Sequence, residues 1–221
     1  MKIAIELNNI VRDINNQAVK YFKKDIQKDF DDKNVDKNVS NIIDSLPFKS
    51  EKARNTFTYI DYPYEIFGCA KSMHRNLQVQ LDEWVDKLNN LDKEHFDIVH
   101  FSLKENALTI QSTYYFLSKT GTRVREMYFP IDGLEIWDKA DVVITTDERI
   151  VRNKPADKIV ILIKKNDNTE LIEKADFVYD SLLELMEDDN FYNNITSKQP
   201  TPTFWTKVSN NIKQIFAKNE D

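Results

Sequence analysis

The pattern of apolar residues along the chain predicts a parallel β-sheet. Five short apolar segments are rich in β-branched residues and lack strict alternation of apolar and polar positions, as expected of strands covered on both faces. They span residues 3–7, 96–103, 123–129, 141–146 and 158–164, and residues 175–179 are a candidate for a short sixth strand.

Helical segments alternate with these predicted strands. Residues 106–119 carry Leu108, Ile110, Tyr114 and Leu117 in a helical stripe, so strand, helix and strand follow in order. Right-handed crossovers between parallel strands place such helices on the faces of the sheet. The sequence therefore predicts an α/β fold, a three-layer Rossmann-like sandwich.

A long segment between the first two predicted strands indicates an insertion. Its second half predicts an amphipathic helix, because apolar residues recur there at spacings of three and four. The aromatic stretch 57–64 before it is interpreted as a loop or a short edge segment that covers core. We expect residues 1–12 and 91–187 to form the α/β core and residues 13–90 to form a helical cap.

The last forty residues predict a helix, a linker and a second helix. Ser181 is a candidate N-cap for a helix that runs to Met186. Residues 188–203 are polar, contain two prolines and have linker composition. An amphipathic C-terminal helix is then predicted at residues 204–221. Its apolar face is too small to be stable alone, so it either docks on its own domain or binds a partner.

Composition and charge exclude several classes of protein. The 221 residues are 41% hydrophobic and 31% charged, which fits a globular chain, and the net charge of -6 opposes general nucleic-acid binding. We expect no membrane span and no signal peptide, and so a chain that stays in the compartment where it is made. With only three glycines there is no phosphate-binding glycine loop, and the three histidines lack zinc-ligand spacing.

Polar residues follow three of the predicted strands, where an open α/β sheet binds its ligands. Glu6 and Asn8 end the first strand, Ser102 ends the second, and Asp147 with Glu148 follows the fourth. These are the positions expected for a carboxylate-centred phosphate site.

In order and spacing, these strand ends resemble the haloacid dehalogenase superfamily. The likeness is to small nucleotidase-like members with a helical cap after the first strand, several of them phage-encoded, and residues 137–147 and 153–155 resemble the end of those sequences. In that family the first strand ends in Asp-x-Asp-Gly, the second in Ser or Thr, a lysine follows, and a later strand ends in acids. The resemblance implies a magnesium-dependent phosphohydrolase fold over most of residues 1–187.

Three departures from the family pattern predict that the chain is not catalytic. Glu6 replaces the nucleophilic aspartate, and its extra methylene displaces the carboxylate by roughly 1.5 Å from an in-line geometry. Asn8 replaces the general acid–base aspartate and has no proton to exchange. Asn9 replaces the glycine that lets backbone N–H groups approach phosphate.

The remaining polar residues allow two interpretations. Glu6, the carbonyl of Asn8, Asp147 and Glu148 are candidate ligands for weakly held Mg²⁺, or they are merely solvated strand ends, which we favour. Ser102 is the most faithful family match, although serine there is also a common N-cap. The resemblance leaves two candidates for the phosphate-binding lysine, Lys119 and Lys154.

The sequence thus favours an inactive haloacid dehalogenase-like domain with a structural or protein-interaction role. We expect no cofactor, and a protein partner or large assembly reached through residues 204–221. Composition and the phage-leaning resemblance suggest a component of a tailed phage particle. They imply a location in the cytoplasm of a bacterial host, and in the virion if the chain is part of the particle. One alternative is a Mg²⁺-dependent phosphohydrolase or nucleotidase that acts on small phosphates, and another is a sensor that binds phosphate compounds without turnover.

Overall fold

A parallel sheet of six strands organises the chain. The computed structural model describes residues 1–91 and 96–198. In chain order its strands are β1 (Lys2–Glu6), β2 (Arg12–Asp13), β3 (Lys71–Ser72), β4 (Asp97–Phe101), β5 (Glu126–Tyr128), β6 (Val142–Thr145), β7 (Ile159–Ile163) and β8 (Phe177–Tyr179). The sheet has the order β5-β4-β1-β6-β7-β8 with every neighbouring pair parallel, whereas β2 and β3 form a separate antiparallel pair.

The strand predictions are confirmed, with changed bounds. Each of the five predicted segments overlaps one strand of the sheet, and β8 is the candidate sixth. The strand β1 begins one residue before the predicted segment, and the other strands are shorter than predicted. The largest difference is at residues 123–129, of which only Glu126–Tyr128 pair with β4. The strand β5 lies at the edge of the sheet, so β4 is its only neighbouring strand, and residues 123–125 do not pair with β4.

Helices cover both faces of this sheet. They are α1 (Ile14–Tyr21), α2 (Glu51–Thr56), α3 (Leu77–Leu91), α4 (Ala107–Thr120), α5 (Glu148–Arg152), α6 (Leu182–Glu187) and α7 (Phe191–Lys198), with short π-helical or 3₁₀ turns at Phe22–Ile26, Ile42–Asp44, Phe57–Asp61, Tyr64–Gly68, Gly133–Asp138 and Thr169–Lys174. The helix α4 begins with a capping box between Asn106 and Thr109 and ends at Gly121, whose φ of 70° closes the C-terminus. No helix of the described residues is long and apolar enough to cross a membrane.

The buried apolar side chains form two clusters because alternate residues of each strand point to opposite faces. Ile3 and Ile5 of β1 lie in a large cluster with the insertion, α3, α4, α6 and α7. Ala4 lies in a smaller cluster with α5 and the turns at 133–138 and 169–174. The result is the predicted three-layer α/β arrangement.

The insertion packs as part of the larger cluster. Phe22 is fully buried and meets Phe30, Phe48 and Phe57 edge to face at 4.9–6.3 Å between ring centroids. The stretch 57–64, interpreted above as a loop or edge segment, is mostly helical, because Phe57–Asp61 continues α2 as a wider turn. The division of the chain into core and cap stays a prediction.

The linker predicted at residues 188–203 is wrong over part of its length. Residues Phe191–Lys198 form α7, and Phe191 and Ile195 are buried one helical turn apart. The Phe191 ring lies 5.1 Å from that of Trp84 in α3. Polar composition concealed this helix, whose two apolar anchors are sufficient to bury one face. Residues 199–203 and the predicted helix 204–221 lie outside the described residues.

We therefore predict that α7 contributes to the stability of the domain. Phe191→Ala should lower the free energy of unfolding by about 3 kcal/mol or more, because it leaves a cavity against Trp84. Urea unfolding of the full chain measures this. Asn193→Ala, an exposed position of the same helix, is the matched control and should have little effect. A Phe191→Ala protein as stable as the control would restore the linker interpretation.

Candidate functional site

A cleft of about 410 Å³ opens at the carboxyl edge of the sheet. Glu6 and Asn8 line it from the end of β1, Lys104 from the loop after β4, and Thr146 and Asp147 from the end of β6. The insertion covers it with side chains that include Tyr59 and Phe67. The structure thus brings the predicted residues Glu6, Asn8, Asp147 and Glu148 together in the lining of the cleft, whereas Ser102 is fully buried and does not line it.

Glu6 is held at the floor of this cleft by hydrogen bonds from β6. Its Oε2 accepts from Thr145 Oγ1 at 2.7 Å, from the backbone N–H of Thr146 at 2.9 Å and from Thr146 Oγ1 at 3.4 Å. Burial raises the pKa of Glu6 to about 7, and these hydrogen bonds oppose the rise. The carboxyl group is therefore only partly ionised near neutral pH.

The residues at the end of β6 that contact Glu6 are threonines. Asp147 accepts at Oδ1 from the backbone N–H of Ile150 at 3.1 Å and so caps α5. Glu148 pairs with Arg152 one turn later in the same helix, at 2.5 Å. Both predicted acids of this strand end thus stabilise the short helix that follows it.

The turn after β1 folds a buried arginine back onto Asn8. Asn9 has φ of 58°, and its N–H donates to the Arg12 carbonyl at 2.7 Å. Asn9 Nδ2 also donates to the carbonyl of Ser40 in the insertion at 2.8 Å. Arg12 is fully buried, and its Nε donates to Asn8 Oδ1 at 2.8 Å. The Asn8 amide oxygen is therefore directed toward a guanidinium.

Arg12 and Glu105 form a buried ion pair that includes Ser102. One terminal nitrogen of Arg12 donates to Glu105 Oε1 at 2.5 Å and to Ser102 Oγ at 3.0 Å. Ser102 Oγ donates in turn to Glu105 Oε1 at 2.6 Å. The other terminal nitrogen donates to Thr113 Oγ1 in α4 at 2.6 Å. Burial lowers the pKa of Arg12, and the charge of Glu105 opposes this.

Neither lysine suggested by the resemblance lines the cleft. Lys119 Nζ donates to the carbonyls of Gly68 and Ala70 at 3.0 Å each, and so ties this part of the insertion to α4. Lys154 pairs with Asp176 at 3.2 Å. Within the part of the chain that is described, a different lysine has its charge near Glu6, namely Lys165 just after β7. Burial lowers its pKa, while nearby carboxylates, Glu6 among them, raise it.

The donor set does not fit a Mg²⁺ ion of the kind that the resemblance implies. Each of the three predicted acids is already engaged: Glu6 Oε2 accepts from three donors, Asp147 Oδ1 caps α5, and Glu148 pairs with Arg152. Mg²⁺ requires oxygen ligands that are free to complete an octahedron. Across residues 1–91 and 96–198, no group of three or more His, Cys, Asp or Glu side chains is arranged to hold a metal.

Comparison with known proteins identifies the fold. No protein-family model and no curated protein matches the sequence. A solved structure from Burkholderia xenovorans LB400, provisionally named a haloacid dehalogenase-like hydrolase, superposes with a TM-score of 0.52 and 12% identity. The match covers 87% of this chain and 97% of that one. The chain has a haloacid dehalogenase-like fold.

The haloacid dehalogenase-like fold confirms the resemblance and the predicted fold class. At 12% identity the likeness concerns the fold alone, so the helical cap and the phage relationship stay predictions. Sequence reasoning missed Arg12 and Glu105, which pack around Ser102. The available signals were a lone arginine after Ile10 and Val11 and a glutamate three residues beyond Ser102.

We predict that the Arg12–Glu105 pair is essential to stability. Arg12→Ala should lower the free energy of unfolding by about 3–5 kcal/mol, because it leaves the Glu105 carboxylate buried without its counter-charge. Denaturant unfolding measures the loss. Arg125→Ala, which removes an exposed pair with Asp97, is the control and should change stability little. If the two substitutions lowered the free energy of unfolding equally, the stabilising role of the buried Arg12–Glu105 pair would be contradicted.

We also predict that the free energy of unfolding depends on pH through the ionisation of Glu6. The pKa rises from 4.5 to about 7 on folding, so ionising Glu6 costs about 3 kcal/mol more in the folded protein. The folded protein binds the proton more tightly, and stability is therefore lost as pH rises from about 4.5 to about 7. The natural protein should lose stability relative to Glu6→Gln over this interval, as measured by urea unfolding at several pH values.

The comparison with Glu6→Gln separates this effect from that of His100. Burial lowers the pKa of His100 from 6.5 to about 4, so that residue removes stability as pH falls through the same interval. His100 is present in both proteins, and its contribution cancels in their difference. A difference that does not vary between pH 4.5 and 7 would contradict the raised pKa of Glu6.

Proposed function

We propose that the chain is a non-catalytic haloacid dehalogenase-fold domain with a structural or protein-interaction role. The observation that carries this proposal is the buried Arg12–Glu105 pair, which engages Ser102 Oγ and Asn8 Oδ1. Ser102 stands where the resemblance expects a phosphate-binding hydroxyl, and it is fully buried. A substrate phosphate would have to displace this charged network before reaching it.

The chemistry of Glu6 supports the same proposal. A carboxylate nucleophile must be ionised and free to move onto phosphorus. Glu6 has a pKa of about 7, and its Oε2 accepts hydrogen bonds from β6. Asn8 has no proton to donate or remove, so general acid–base help, on the order of a hundredfold to ten-thousandfold in rate, is lost.

The charges around the cleft also differ from those of a phosphate site. Binding a phosphate requires cations whose charge is not already compensated. Arg12 is neutralised by Glu105 at 2.5 Å, and Lys104 lies 3.4 Å from Asp44. The buried Lys165 interacts with the charges of Asp13, Asp167 and Glu6. The cleft is also lined by Asp147, Glu148 and other acids. This arrangement favours neither the phosphohydrolase nor the phosphate-sensor alternative.

A domain that does not catalyse a reaction would function through the surfaces that it presents to other molecules. We infer that it acts by binding another protein or by joining an assembly. The proposed contact through residues 204–221 lies outside the described residues, and membership of a tailed phage particle stays a prediction. The proposal that the site is not catalytic does not depend on either point.

The test of the proposal is phosphate release from nucleoside monophosphates and an aryl phosphate with Mg²⁺. We expect the natural protein to give no more release than Glu6→Ala, and no more than Glu6→Gln, which retains a hydrogen-bonding group at this position. Turnover by the natural protein that disappears in both variants would show a phosphohydrolase with an unusual glutamate.

The substitution pair Glu6→Asp with Asn8→Asp extends this test. It restores the two aspartates of the family pattern, yet we expect it to remain inactive. The new carboxylate at position 8 would pair with Arg12, whose Nε already donates there, and Thr145 and Thr146 would still supply no acid from β6. A gain of activity in this double variant would mean that the buried ion pair does not block the site.

A further inference from the structure

The cleft above Glu6 is lined by more acids than bases. Among its described lining residues five are acids and two are basic, Lys104 and Arg149. Lys104 lies 3.4 Å from Asp44. Arg149 lies 3.1 Å from Asp132, so both basic side chains are already paired. The cleft therefore opposes an anionic ligand and favours one that is neutral or positively charged.

Three of the five acids have no salt bridge within residues 1–91 and 96–198. They are Glu6, Asp147 and Asp167, whereas the other two pair with basic residues. Lys165, just after β7, lies near two of the three, and the charges of Glu6 and Asp167 oppose the lowering of its pKa. Its single positive charge balances no more than one carboxylate. Part of the negative charge of the cleft therefore stays uncompensated.

Two carboxylate oxygens of these acids accept no hydrogen bond from the described residues. Glu6 uses Oε2 for its bonds to β6, and Asp147 uses Oδ1 to cap α5. Glu6 Oε1 and Asp147 Oδ2 are left over, and neither is a fully buried atom, so both are accessible to a ligand. The charge of Asp147 helps to raise the pKa of Glu6, so the two carboxyl groups lie near each other. Two acceptors are too few for an octahedral metal, but they suit an ammonium group with three N–H donors.

A side-chain amide at the floor of the cleft has an unused donor. Asn8 is 8% exposed, and its Oδ1 accepts from Arg12 Nε at 2.8 Å. Because a guanidinium only donates, this bond fixes which end of the amide faces Arg12. Asn8 Nδ2 donates to no group in the part of the chain that is described, although Asn8 lines the cleft. A polar side chain this deeply buried ordinarily has all its groups bonded, so the donor indicates a ligand that brings an acceptor.

Apolar side chains of the insertion provide the other wall of the cleft. The rings of Tyr59 and Phe67 are stacked with their centroids 6.3 Å apart, and Ile14 and Ile43 also line the cleft. Aromatic faces attract cations as well as apolar groups. The volume of about 410 Å³ is in the range of sites that enclose small organic molecules. A ligand with an apolar body would therefore bury that body against the insertion.

We propose that the cleft binds a small organic cation with an ammonium group, a neighbouring hydroxyl or carbonyl oxygen, and an apolar body. The ammonium donates to Glu6 Oε1 and Asp147 Oδ2, and the neighbouring oxygen accepts from Asn8 Nδ2. The apolar body packs on Tyr59 and Phe67. This inference goes beyond the proposed function, because such binding requires neither turnover nor a protein partner.

Titration calorimetry of the full chain with phenylalaninol tests the proposal. This amino alcohol combines an ammonium, a hydroxyl and a phenyl group, and it is titrated slightly above neutral pH, where Glu6 is mostly ionised. It should bind about tenfold or more tightly than 3-phenylpropane-1,2-diol, in which a hydroxyl replaces the ammonium, because the charge-assisted hydrogen bonds are then lost. Phenyl phosphate should not bind. Equal affinities for the amine and the diol, or no binding of the amine, would overturn the proposal.

Two conservative substitutions locate the bound cation. Glu6→Gln and Asp147→Asn should each weaken binding of phenylalaninol about tenfold, because each removes one carboxylate and keeps a group that can form the existing hydrogen bonds. Glu83→Gln is the matched control, since Glu83 is an exposed acid of α3 that does not line the cleft, and it should leave the affinity unchanged. Affinity that survives both cleft substitutions, or that falls equally in the control, would place the cation elsewhere and overturn the proposal.

Discussion

The ion pair between Arg12 and Glu105 is the interaction on which the rest of the site depends. Removing two charges from water costs several kcal/mol for each ion, and a buried pair is tolerated only with good geometry and further hydrogen bonds. Here the guanidinium donates to Asn8, Ser102 and Thr113 in addition to Glu105. Arg12 thereby forms hydrogen bonds with the side chains of Asn8, which follows β1, and Ser102, which follows β4.

The same pair ties the insertion to the sheet. Arg12 belongs to β2, which pairs with β3 at the other end of the insertion, and one of its terminal nitrogens lies 3.3 Å from the carbonyl of Phe67. Thr113 of α4 donates to Glu105, and Glu105 directly precedes Asn106, the N-cap of that helix. A phosphate-binding site needs preorganised donors at this edge that are not already bonded to other groups. In this chain the donors of Arg12 and the hydroxyl of Ser102 are engaged with each other and with Glu105, although Glu105 Oε2 is buried without a hydrogen-bond partner.

The fold was predictable from sequence because buried parallel strands leave a simple signal. Continuous β-branched segments such as Ile159–Ile163 have few alternative structures, and Ser181 does cap α6 as expected. The helix α7 was missed because Phe191 and Ile195 are only two anchors within a polar stretch. Stretches of short helices, such as the one at Phe57, are also hard to predict, since tertiary packing decides them.

Only the residues that end the predicted strands could be predicted as part of the candidate site. The position of Glu6 at a strand end follows from the strand pattern, and the structure places it in the cleft. Its contacts with Thr145 and Thr146 depend on which strand lies beside β1, and the linear sequence does not state that order. The partnership of Arg12 and Glu105, 93 residues apart, depends on the whole fold. Long-range polar networks of this kind produce no periodic pattern in the amino-acid sequence.

Binding of orthovanadate, a mimic of transferring phosphate, tests the central claim most directly. Titration calorimetry of the natural protein with Mg²⁺ and orthovanadate should detect no binding, because Ser102 and Asn8 are already bound to Arg12. Binding that requires Mg²⁺ and is lost in Glu6→Gln would contradict the account, since it would mean that the strand ends remain open to a phosphate.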